Sequence, residues 1–77
     1  MMRRELTPIA RRLVELRRSH NLTQEQTAGE LGASVVTIGN WERGYAVPNL
    51  YSIIDLCVLY GVSPNELLGW DGENGNI

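Results

Sequence analysis

Helix start and stop signals recur along this chain so closely that no helix can run much beyond three turns. Thr7 followed by Pro8 reads as a cap and a first-turn proline, after which Ile9, Leu13 and Leu16 share one face at i, i+4 and i+7. That helix is expected to end near His20. Asn21 suits the left-handed residue that closes a helix, with Leu22 folding back over the core. Thr23 and Gln26 have the spacing of a capping box and open a second helix through Ala28 to Leu31, stopped by Gly32. Ser34 caps a third through Ile38 and Trp41, which Gly44 stops. Val47 and Pro48 form a loop. Asn49 opens a fourth helix expected to turn Leu50, Ile53, Leu56, Cys57 and Tyr60 inward before Gly61. Ser63, Pro64 and Glu66 then start a brief fifth one leading to Leu67 and Leu68. Apolar residues recur at helical spacings and do not alternate, so the predicted fold class is all-α, a compact five-helix bundle. One domain is expected over 1–69, followed by a short, turn-rich and flexible tail over 70–77.

Composition fits a small globular domain. The 77 residues are 43% hydrophobic and 21% charged, too apolar for a disordered chain. One cysteine, Cys57, excludes an internal disulfide, and with one histidine it cannot build a tetrahedral zinc site within one chain. No apolar run approaches the ~20 residues that span a bilayer, and the N-terminus lacks the apolar block of a signal peptide. The expected compartment is cytoplasmic, without membrane contact. The formal net charge is −2, unlike most proteins that bind nucleic acid. Its distribution is uneven: Arg3, Arg4, Arg11, Arg12, Arg17 and Arg18 precede residue 20, only Arg43 follows, and every charge after residue 44 is acidic. A local positive surface therefore remains compatible with the acidic total.

Two short helices separated by the turn Gly32-Ala33-Ser34 describe a helix-turn-helix, whose second helix is the one such motifs present to the DNA major groove. The order of residues carries more weight than the turn. The stretch LTQEQTAGELGASVVTIGNWERG, followed by VPNLYSIIDLCVLYGVSPNELLG, closely resembles the XRE family, the lambda-repressor-like helix-turn-helix domains of phage Cro and repressor type. The resemblance covers about residues 9 to 69. Its most specific elements are LTQ opening helix two, A-x-x-L-G before the turn, WERG closing helix three, P-x-L opening helix four, and GVSPNELLG.

The resemblance implies a sequence-specific transcriptional regulator, a repressor reading an inverted-repeat operator in double-stranded DNA as a homodimer. Ser34, Val35, Val36, Thr37 and Asn40 match the outward part of the recognition helix. Ile38 and Trp41 face inward, so positions 35, 36, 39 and 40 point elsewhere. Val35 and Val36 suit thymine methyl groups; Asn40 either pairs with adenine or is a polar surface residue, and Thr37 joins the base-contacting set. Gln24 matches a residue that holds a phosphate at a helix N-terminus, its alternative being an exposed first-turn residue. Ser34, Arg43 and Tyr45 complete the phosphate-contacting set. Gly39 departs from the family, which places a side chain there; it either lets the DNA backbone approach or is simply tolerated. Arg17 and Glu42 match a buried ion pair that fixes the angle of the recognition helix, the alternative for Arg17 being direct phosphate contact. Tyr51, Ile54 and Val58 form an apolar stripe on helix four that, with Trp70, is either a dimer interface or a broad core contact.

Catalysis is not supported. The chain has no lysine and no glycine-rich phosphate loop, and Cys57 and His20 lie far apart in the sequence. No cofactor, metal or small-molecule ligand is called for. The competing reading is a non-catalytic protein-interaction module, antitoxin-like or anti-repressor-like, on the same fold, which the acidic balance favours and the ordered motifs oppose.

Overall fold

A computed structural model describes residues 8–68. They form five helices: α1 (Pro8–Ser19), α2 (Gln24–Leu31), α3 (Val35–Glu42), α4 (Leu50–Tyr60) and α5 (Pro64–Leu68). No strand occurs among them. Thr7, Trp70, Arg3 and Arg4, and the expected tail over 70–77, lie outside the described residues.

Local hydrogen bonds set the helix boundaries. Thr23 Oγ1 accepts from the Gln26 amide at 3.0 Å while Gln26 Oε1 accepts from the Thr23 amide at 2.8 Å, a complete capping box. Ser63 and Glu66 repeat it at the start of α5, at 3.1 and 2.8 Å. Ser34 and Asn49 cap α3 and α4 by accepting from the amides of Thr37 and Ser52. At the other end of α1, Asn21 takes φ 56°, and the Leu22 amide donates back to the Arg17 carbonyl. This reverses the chain and lays Leu22 against the core.

The core joins all five helices: Ile9 and Leu13 from α1, Ala28 from α2, Ile38 and Trp41 from α3, Leu56 and Tyr60 from α4, and Leu67 from α5. Leu13, Ile38, Leu56 and Leu67 are almost wholly buried, each contributing about 1.5–3 kcal/mol of hydrophobic stabilisation. The helix α3 rests on α2 and α1, while α4 packs on α5 and α2. The α2–α3 pair is thereby held by α1 and α4, with Val35 and Val36 of α3 exposed.

One expected core position differs. Leu50 shares a helical face with Ile53 and Leu56, yet it is exposed, not inward. It is the first residue of α4, and on that face it is Ile53, one turn further, that packs against the core; in the loop before it Pro48 is buried.

Candidate nucleic-acid interface

One side-chain network ties α1, α2 and α3 together. Arg17 Nε donates to Glu42 Oε2 at 2.8 Å and Nη2 to Oε1 at 3.1 Å, a bidentate ion pair between α1 and the last turn of α3. Arg17 Nη1 also donates to the Leu22 carbonyl at 2.9 Å, and Gln24 Nε2 to Glu42 Oε1 at 2.9 Å. The two charged side chains retain only 13% and 5% of their exposure. The hydrogen bonds to Glu42 raise the pKa of Arg17 further, so its charge is permanent. The network links the end of α1, the first residue of α2 and the last of α3. Its bond to Gln24 spans 18 residues and has no signature in the sequence.

Val36 is 63% exposed and Val35 39% exposed at the start of α3. They are the first two residues of the helix, beside the Ser34 cap. The Ser34 and Thr37 hydroxyls lie 3.0 Å apart and satisfy each other, and Thr37 is half-buried. A ligand could reach these hydroxyls only through their remaining hydrogen-bonding capacity.

The far end of α3 differs from the reading of the sequence. Gly39 does not face open space, because the Arg43 guanidinium covers it. Arg43 is the C-cap, yet its side chain folds back along the helix, where Nη2 donates to Asn40 Oδ1 at 3.0 Å. Gly44 at φ 78°, with the Tyr45 amide donating to the Asn40 carbonyl at 2.9 Å, returns the chain under that group. The Tyr45 ring centroid consequently lies 5.1 Å from Arg43 Cζ. Asn40 thus has its oxygen engaged by Arg43. Their spacing of three residues permits this contact, but the role of Gly39 in admitting it requires the three-dimensional arrangement.

On α4, Tyr51 and Val58 are both 77% exposed and Ile54 is 51% exposed, so these residues do not enter the core. Val47 and Leu50 are also exposed, at 59% and 69%. Among the α1 cations, Arg12 is tied to the Glu66 carbonyl and to Glu15, whereas Arg11 and Arg18 are exposed. Among the described residues, no group of three His, Cys, Asp or Glu side chains is placed to hold a metal ion. No described helix is long and apolar enough to cross a membrane.

Residues 13–67 match the helix-turn-helix family. The chain is 40% identical over 57 residues to the HTH-type transcriptional activator BcrR of Enterococcus faecalis, covering 74% of this chain and 28% of that protein. In structure it resembles the restriction-modification controller protein C.AhdI of Aeromonas hydrophila, with a TM-score of 0.74 and 34% identity over 80% of this chain and 94% of the other. It also resembles the P22 c2 repressor, whose structure was determined with a synthetic operator; the TM-score is 0.76 and the identity 28%, over 82% of this chain and 96% of that one. The chain spans about half or less of the length of the curated relatives it matches.

Proposed function

The chain belongs to the helix-turn-helix family, of XRE type, and from that premise we propose that it is a DNA-binding transcriptional regulator whose α3 reads duplex DNA in the major groove. The observation that carries this reading is the braced α2–α3 pair. Its rear is locked by Arg17, Glu42 and Gln24, while Val35 and Val36 stand exposed on the reading helix. A reading helix must be held rigidly to discriminate bases, and uncharged apolar side chains at its start suit thymine methyl groups. Gln24 has a second amide hydrogen beyond the one given to Glu42, which serves a phosphate at the N-terminus of α2.

The working unit is a homodimer in the cytoplasm, acting as a repressor by occupying its operator. The support for pairing is the exposed stripe of Tyr51, Ile54 and Val58 on α4, whose spacings of three and four residues are those of a helix-pairing seam. Two copies related by a two-fold axis would address half-sites about 34 Å apart, hence an inverted repeat. Selection from random duplexes tests the whole reading. Enrichment of an inverted repeat supports it; no enriched motif from folded protein favours the protein-interaction module, to which the net charge of −2 and the same apolar stripe also point.

A further inference from the structure

The geometry points to Arg43 as a base-reading residue: laid back along α3 into the space that Gly39 leaves, its guanidinium is placed to donate two parallel hydrogen bonds to a guanine. The inference deepens the DNA-reading proposal and rests on it.

An arginine capping the end of α3 would be expected to extend past the helix toward the phosphate backbone. Here it is drawn the other way. A Cβ at position 39 would lie 3.0 Å from Arg43 Nη1 and 3.4 Å from Nη2, so the guanidinium occupies the place that a side chain would take there. Asn40 Oδ1 holds Nη2 at 3.0 Å, and the Tyr45 ring supports the charged group at 5.1 Å. Val36, Gly39, Asn40 and Arg43 stand at i, i+3, i+4 and i+7 and so share one helix face. The charged head therefore belongs to the surface that carries the exposed Val36.

Guanidinium is a planar fork whose paired N–H groups match guanine O6 and N7. Asn40 uses one hydrogen of Nη2, which leaves four of the five donors of the group for a base. Asn40, its oxygen engaged, is a positioning residue for Arg43 and not an adenine reader. Arg43 is also the chain's only Arg or Lys after residue 18. Glycine at 39 and arginine at 43 work together: the first gives up a side chain so that the second can read from its place.

The test uses the full chain and duplexes built on the motif selected by the wild type, each half-site carrying either its preferred base or a replacement at one position. The wild type is expected to require a guanine whose replacement costs on the order of tenfold or more in affinity. Arg43→Lys keeps the charge but loses the fork, so it should lose discrimination at that position alone and keep its affinity for scrambled duplexes. Gly39→Ala, whose methyl meets only the flexible end of Arg43, should fold with a melting midpoint no lower than the wild type's, since alanine favours the helix interior, and lose the same discrimination in part. Arg43→Lys that still reads the guanine as the wild type does, or Gly39→Ala indistinguishable from it, would overturn the assignment and return Arg43 to phosphate binding. A wild type that enriches no motif refutes the DNA-reading proposal itself; an enriched motif indifferent to Arg43 refutes this inference alone.

Discussion

Arg17→Ala removes three hydrogen bonds at once, two to Glu42 and one to the Leu22 carbonyl. The Glu42 carboxylate, only 5% exposed, would keep a single donor, the Gln24 amide. Breaking a buried pair by deleting one partner costs about 3–5 kcal/mol, because the remaining charge is left without compensation. Arg17 keeps 13% of its exposure, so water can reach the vacated space, and the lower figure of about 3 kcal/mol applies. For a domain of this size that corresponds to a fall in thermal midpoint of about 12–24 °C. Replacing both partners tells stability apart from positioning. In the double variant Arg17→Met, Glu42→Leu no charge is stranded, and most of the lost midpoint should return. DNA affinity should not return, since Gln24 loses its anchor and α3 its brace. The assays are thermal unfolding by circular dichroism and titration with the selected duplex. A midpoint for Arg17→Ala within about 2 °C of the wild type, less than 1 kcal/mol, would refute the reasoning.

Val35→Ala and Val36→Ala should each cost on the order of 1 kcal/mol on the preferred operator and much less on duplexes lacking the thymine, measured by competition binding. Ile54→Glu and Val58→Glu place charge in the exposed stripe of α4; sedimentation should show a shift to monomer with little change in melting temperature. Burial pushes the Tyr60 phenol above its ordinary 10.0 and the Cys57 thiol above 9.0. Below those values folded and unfolded states both hold the protons, so stability is unaffected; above them the unfolded state releases protons first, and stability falls as pH rises. Tyr60→Phe should flatten that alkaline limb in unfolding curves followed from pH 8 to 11.

The helix boundaries, set by caps that close within about five residues, were legible in the sequence. Thr23 with Gln26, and Ser63 with Glu66, announce their helices because each pair closes its bonds across a single turn. Asn21 announces an ending because few side chains tolerate a left-handed backbone. Distant partners left no such trace. Arg17 and Glu42 are 25 residues apart, and only a resemblance to related domains joins them; nothing joined Gln24 to Glu42. Leu50 was misplaced because periodicity gives the direction of a face and not where the core beneath it stops. Arg43, read alone, is a cation at a helix end, and its return over Gly39 follows from the turn at Gly44 and the support of Tyr45.

The most direct test is equilibrium titration of the wild type with its selected duplex and with a scrambled duplex of the same composition, across a series of salt concentrations. Recognition through an uncharged helix start and one arginine, in a chain of net charge −2, should give a preference for the selected duplex on the order of a thousandfold or more, with a shallow dependence on salt because few phosphates are neutralised. Equal affinity for the two duplexes, or binding to neither by folded protein, would contradict it.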